Sequence, residues 1–147
     1  RVTAVELSGD ALAYLRANNA AYGSPLRVVQ ADVLRWQAEC APDSLDVIVS
    51  NPPYIAPEEM AGLEPELFHE PRMALEAPEG GLAFYKHIAP AYFGVLKPGG
   101  RLVLEVGWRQ AEAVCALCRA AGYAQVSVRS DLGGNPRCVL ARRPIAF

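Results

Sequence analysis

No stretch of the sequence approaches the ~20 consecutive apolar residues that a helix needs to cross a bilayer. Its N-terminus also lacks the succession of basic, apolar and small residues that marks a secretion signal. A soluble, cytoplasmic protein is therefore expected, with no membrane partner. Net charge is scarce as well: 14 Lys and Arg against 16 Asp and Glu leave -2. Polyanionic nucleic acid thus meets no general attraction, and only a local basic patch stays open. Four cysteines, Cys40, Cys115, Cys118 and Cys138, are scattered through a chain that is 52% hydrophobic, and such a chain needs no disulfide staples. Cys115 and Cys118 form a C-x-x-C, but no second pair completes a zinc tetrahedron. They fall inside a helical pattern, so packing is their expected role and no metal site is assigned. What is present, 147 residues with 20% charge, suits one globular domain with a real core.

Val2 to Leu7 is a short β-branched and apolar run, followed by Ser8, Gly9 and Asp10, which suit a helix start. The spacing predicts a helix over Asp10 to Tyr22, stopped by Gly23. Leu26 to Gln30 is a second strand leading to Ala31 and Asp32. Asp46 to Ser50 is a third, so continuously apolar that burial on both faces of a parallel sheet is expected. It runs into Asn51, Pro52, Pro53 and Tyr54. Ile55 to Gly81 is rich in proline and acid, without sustained periodicity, and reads as a lid or substrate loop. A helix over Leu82 to Leu96 is predicted to stop at Lys97, Pro98, Gly99 and Gly100. Arg101 to Val106 is a fourth strand and Gln110 to Ala121 a further helix. Gln125 to Arg129 and Arg137 to Ala141 then make a terminal antiparallel hairpin. Strands alternating with helices indicate an α/β fold: an open, mostly parallel sheet with helices on both faces. Ligands in such sheets bind beyond the carboxyl ends of the strands.

Three features lie at such ends. Glu6 closes the first strand, where a carboxylate can accept two hydrogen bonds from a ribose diol; alone, such an acid is more often a helix-start or solvated residue. Asp32, just past the second strand, can accept from an adenine amino group or cap the residues from Val33 onward. Asn51-Pro52-Pro53-Tyr54 carries more. Two prolines fix φ and remove backbone donors, leaving rigid outward carbonyl acceptors. The Asn51 side-chain oxygen adds another, and two acceptors match an NH₂ group with two hydrogens to give. Tyr54 can pack on a flat amide or base and exclude water. The alternative is a tight turn with a stacked aromatic.

An N-P-P-Y after a buried strand resembles the mark of class I methyltransferases that act on planar nitrogen. In order along the chain stand Asn51-Pro52-Pro53-Tyr54-Ile55, Glu70-Pro71 with Ala74-Leu75, Gly80-Gly81-Leu82 with Tyr85, Leu96 with Gly99-Gly100, Leu104-Glu105 with Gly107, and Asp131 with Gly134-Asn135-Pro136-Arg137. Together they resemble the HemK/PrmC family, the peptide-chain release factor glutamine methyltransferases, over essentially the whole chain. That resemblance implies a Rossmann-like class I sheet and S-adenosyl-L-methionine as cofactor, with S-adenosyl-L-homocysteine as product and no metal. It implies transfer of a methyl group to the N5 side-chain amide of the glutamine in the Gly-Gly-Gln loop of class 1 release factors. Glu6, Asp32, Val33 and Asn51 would bind cofactor. Asn51, Pro52, Pro53 and Tyr54 would bind the amide, with Asn51, Pro52 and Tyr54 as the catalytic clamp. The family commonly has Asp where Glu6 stands. His69 and His87 read as surface or packing residues, and no general base is required.

The sequence departs from the family pattern in opening at the Glu6 strand, without a glycine-rich cofactor loop or the helical N-terminal substrate domain. The expectation is a partial catalytic domain lacking the first, central strand, with unpaired edges on the Glu6 and Asn51 strands. Alone, these residues are expected to bind cofactor weakly or not at all and to be inactive, with strand exchange between copies a plausible self-association. Two rivals stand beside the family reading. One is a nucleic-acid adenine-N6 or guanine-N2 methyltransferase, disfavoured by the acidic Glu58 to Glu70 segment. The other is an inactive fragment that acts only as a binding module.

Overall fold

Thr3–Glu6, a β-branched and apolar tetrapeptide, forms β1 in the computed structural model, which describes residues 1–23 and 26–145. Ser8 then caps α1 (Gly9–Ala21), its hydroxyl accepting from the Ala11 N–H at 3.3 Å, which satisfies one of the orphan donors of the first turn. β2 (Arg27–Gln30) lies parallel to β1, with Thr3 opposite Arg27 and Glu6 opposite Gln30. The Asn19 side chain ties α1 to the entry of β2, donating to the Leu26 carbonyl and accepting from its N–H at 3.2 and 3.3 Å. Leu12 is the buried anchor of the helix. A short helix, α2 (Val33–Trp36), follows Asp32. These elements form one compact unit, Arg1–Cys40.

A second unit runs from Ala41 onward. It holds β3 (Leu45–Ser50), β4 (Leu96–Glu105), β5 (Ala124–Ser130) and β6 (Pro136–Arg142), in the spatial order β3-β4-β6-β5. β3 and β4 are parallel, whereas β6 is antiparallel to both β4 and β5. Between β3 and β4 come two 3₁₀ turns, Pro57–Gly62 and Pro65–His69, then α3 (Arg72–Leu75), α4 (Pro78–Gly81) and α5 (Ala83–Ala91). α6 (Ala111–Ala120) packs on α5, β5 and β6. The core comprises Tyr85 and Ile88 of α5, Leu102 and Leu104 of β4, Val114 and Cys118 of α6, and Val139 of β6, all fully buried. β1 and β3 are each edge strands, hydrogen-bonded along one side.

Two expectations from the sequence are corrected. β3 is not buried on both faces: Val47 and Val49, two residues apart and so on one face, are 52% and 74% exposed, because no described element packs over that face. Lys97 to Gly100 do not separate helix from strand. Helix α5 has already ended at Ala91, and β4 begins at Leu96, so these residues form an irregularity inside it: Leu45 pairs with Leu96, but Val47 pairs with Arg101. Gly99 takes φ +82° there, and its N–H still finds the Arg143 carbonyl at 3.0 Å. The segment after Ile55, read as a lid or substrate loop, is built of short turns and helices. Its turns open at Pro57, Pro65 and Pro78, where a missing N–H costs nothing.

The terminal hairpin turns where expected. Asp131 organises it: Oδ1 accepts from the Gly133 and Asn135 N–H groups at 2.9 and 3.0 Å, and Oδ2 pairs with the Arg137 guanidinium at 3.3 Å. The Asn135 N–H, helped by Arg137 and the Gly133 N–H, holds the Asp131 carboxyl below the usual carboxylate range. A depressed folded-state pKa stabilises the fold above the unfolded value of about 3.9 and loses that contribution as pH falls through the folded value. Wild type and Asp131→Asn should therefore differ in melting temperature at pH 6, with the gap narrowing as pH falls below about 3.9; a constant gap would mean that ionisation of Asp131 does not matter.

The cysteines follow the packing reading. All four are free, and Cys115 and Cys118 are buried on α6. Burial, with the neighbouring Cys115 thiol, pushes Cys118 up to about 11, so it stays a neutral, inert thiol at ordinary pH. Among the described residues no group of three or more His, Cys, Asp or Glu is placed to hold a metal, and no helix is long and apolar enough to cross a membrane.

Candidate active site

β3 delivers the chain to Asn51 at its carboxyl end, and the residues that follow are held by backbone hydrogen bonds and by one side chain, that of Gln110. Pro52 and Pro53 have no N–H to offer. From Tyr54 on, the donors resume, and both the Tyr54 and Ile55 N–H groups go to the Leu75 carbonyl, at 3.2 and 2.9 Å. The Ile55 carbonyl accepts from the Ala77 N–H at 2.8 Å, so Ile55 and Glu76 form a one-pair parallel bridge. The Tyr54 carbonyl accepts from Gln110 Nε2 at 2.9 Å. The corner is thus pinned by Leu75 and Ala77 of the segment it introduces and by Gln110 at the start of α6.

What is left free is informative. Asn51 is exposed and makes no side-chain hydrogen bond among the described residues, while Pro52 beside it is buried and Pro53 and Tyr54 are half-buried. A rigid corner with its single amide side chain unspent and facing solvent presents acceptors to an incoming group. Tyr54 leans over Gly107, where an added Cβ would stand 3.4 Å from its ring. Behind it, the Tyr85 hydroxyl donates to the Glu105 carbonyl at 2.8 Å. Burial, then the nearby Tyr54 and Glu105, keep that phenol protonated far above its ordinary range. An apolar hollow of about 410 Å³ opens in the following segment, lined by Pro57, Met60, Leu67, Phe68 and Leu75 among others. Asn51 is not in its lining, so the corner addresses open surface rather than this hollow.

In the first unit, Glu6 and Asp32 share the carboxyl end of the β1–β2 pair: Glu6 lies opposite Gln30, and Asp32 follows two residues later. Both also serve local roles. Glu6 Oε1 accepts from the Ser8 N–H at 2.7 Å, and Asp32 Oδ1 accepts from the Leu34 N–H at 2.9 Å as the cap of α2. Each of these bonds engages one carboxylate oxygen and leaves the second for another donor. Such an oxygen can accept from a hydroxyl or an amino group. Val33 opens α2, half-buried beside them. Of the histidines, His69 is exposed in a 3₁₀ turn and His87 lies on α5 with a buried Nε2; neither belongs to the corner.

Gln110 was read only as a helix residue in the sequence. Gly107, three positions earlier, was the available signal, since a missing side chain there admits the Gln110 amide; the Tyr54 partner, 56 positions away, is not legible without the fold.

Parallel strand pairs in both units, with an antiparallel terminal hairpin in the second, make a fragment of the class I methyltransferase fold, and solved structures agree. A methyltransferase from Pyrococcus furiosus superposes with a TM-score of 0.72 over 99% of this chain and 64% of its own, at 21% identity. A protein-(glutamine-N5) methyltransferase (release factor-specific) from Alicyclobacillus acidocaldarius does so at 0.53 over 98% and 80%, at 26% identity. The chain belongs to the methyltransferase small domain family, whose model matches residues 1–97, and within it to the HemK/PrmC group. Release factor glutamine methyltransferases from Cereibacter sphaeroides and Caulobacter vibrioides are 46% and 42% identical over 97% and 92% of this chain. The chain spans about half the length of these relatives, 51% and 47%.

Proposed function

We propose that this chain provides the amide-binding part of an enzyme that methylates the N5 side-chain nitrogen of glutamine, in the Gly-Gly-Gln loop of a class 1 release factor. The observation that carries the reading is the unspent Asn51 amide at a proline corner whose following backbone is fixed on both sides. Its side-chain oxygen and a proline carbonyl accept the two hydrogens of the substrate NH₂, and Tyr54 limits rotation of the flat amide. Bound S-adenosylmethionine supplies a sulfonium-linked methyl group as the electrophile. Glu6 and Asp32 hold the adenosine end through the oxygens that their caps leave open.

An amide nitrogen is a weak nucleophile because its lone pair is delocalised, so the corner acts by positioning and by stabilising positive charge as it develops on nitrogen. With the cofactor bound, its C–S bond would break as the C–N bond formed, the electron pair would return to sulfur, and the cationic nitrogen held by the corner would then release a proton to water. A dedicated base is unnecessary. Glu58, Glu59, Glu64, Glu66 and Glu70 are all exposed along the segment that follows the corner, which favours a protein substrate over a polyanion.

The test is methyl transfer from labelled S-adenosylmethionine by the intact protein, offered a release factor, the same factor with its loop glutamine changed to alanine, DNA and RNA. Label confined to the unaltered factor is the expected result. Label on nucleic acid would move the assignment to an exocyclic base amine.

A further inference from the structure

The tetrapeptide cannot hold itself. With no N–H at Pro52 or Pro53, the rigidity of the corner depends on what is bonded to Tyr54 and beyond. The backbone of α3 supplies one side through Leu75, and the side chain of Gln110 supplies the other. Gln110 stands at the N-cap of α6, and its amide uses both ends. Nε2 donates to the Tyr54 carbonyl at 2.9 Å and reaches the Gly80 carbonyl at 3.4 Å, while Oε1 accepts from the Gly107 N–H at 3.1 Å. One planar group thereby joins the corner, the α4 turn and the end of β4.

Two glycines make room for it. A Cβ on Gly81 would stand 2.5 Å from Gln110 Nε2 and 2.1 Å from the Tyr54 oxygen; one on Gly107 would stand 2.9 Å from Gln110 Oε1. Space has been left on both sides of an amide whose donor end meets the corner, a pattern that helix capping alone does not need.

On the functional reading above, we infer that Gln110 is a positioning residue for methyl transfer: by occupying the Tyr54 carbonyl and tying it to Gly107 and Gly80, it sets the orientation of the Asn51–Pro52 acceptors without touching substrate. The Tyr54 carbonyl already accepts from Gln110, whereas the Asn51 side chain is unspent among the described residues.

Gln110→Glu and Gln110→Met in the intact protein separate this role from capping. Glutamate keeps an oxygen for the Gly107 N–H but has no hydrogen for the Tyr54 carbonyl; methionine keeps the length and loses both. Both should lower kcat for release factor methylation by about 10- to 100-fold, the scale on which small misplacements act, with the KM for S-adenosylmethionine within about twofold of wild type. Hydrogen exchange at the Tyr54 and Ile55 amides should quicken in both, and Gln110→Asn should recover part of kcat. A Gln110→Glu protein with wild-type kcat and unchanged exchange at residues 54–55 would overturn the inference, because capping alone would then account for the residue. If a variant's melting temperature collapses, the exchange and kcat of Gln110→Asn decide in its place. A wild-type protein that methylates no release factor sinks the functional reading instead, while the exchange measurement still reports on the strut.

Discussion

Asn51→Ala lowers the rate of methyl transfer by about 10²- to 10³-fold, the effect of removing one preorganised polar contact from a reacting centre, and leaves the melting curve nearly in place. The separation follows from what Asn51 touches. It is exposed, it makes no side-chain hydrogen bond among the described residues, and the backbone around it is held by Leu75, Ala77 and Gln110 rather than by its own amide. Surface substitutions of that kind change stability by no more than about 0.5 kcal/mol. Single-turnover rates and thermal melts on one preparation check both halves. Full activity in Asn51→Ala would remove the clamp from the mechanism, and a collapsed melt would show that the residue serves the fold instead.

Gly81→Ala is the second large effect, and it acts through the backbone. Gly81 sits at φ +80°, and a methyl group there would lie 2.1 Å from the Tyr54 carbonyl oxygen and 2.9 Å from its carbon. Backbone cannot swing aside as a flexible side chain does, so either the corner or the α4 turn must move by several tenths of an ångström or more. Misplacement on that scale is worth about 10²-fold in rate, and the left-handed backbone adds roughly 1–2 kcal/mol of strain. Gly62 is the matched control. It has ordinary φ and open space where its Cβ would be, so Gly62→Ala should leave activity unchanged. Equal activities of the two variants would show that the corner tolerates displacement.

The legible parts of this protein are those where a local rule and the fold agree. Ser8 starts a helix because its hydroxyl can reach a first-turn N–H, and Asp131 closes a hairpin because one carboxylate can gather two loop N–H groups. Both signals span only a few residues. The Asn51 corner was legible for the same reason, since two prolines after an apolar strand constrain the backbone whatever surrounds it. Asp32 was legible as a cap, and its carboxylate does accept from the Leu34 N–H at the start of α2. The failures are long-range. Whether Val47 and Val49 are covered depends on an element packing over that face of β3, which the strand's own residues do not encode. Lys97 to Gly100 carry every mark of a turn, and the chain does turn, but a parallel partner on one side and β6 on the other absorb it as an irregularity within β4. Gln110 looked like any helix-start glutamine until the fold brought Tyr54 to it. The Pro57, Pro65 and Pro78 turns were signalled singly, yet each is too short to show a period.

The most direct test concerns the number of hydrogens that the corner requires. If Asn51 and a proline carbonyl each take one hydrogen of the substrate NH₂, a nitrogen that has gained one methyl has only one left to give and cannot be gripped again. Exhaustive reaction of the intact protein with a release factor, followed by mass spectrometry of the glutamine peptide, should show a single added methyl group however long the incubation. A dimethylated side chain accumulating under those conditions would contradict the account.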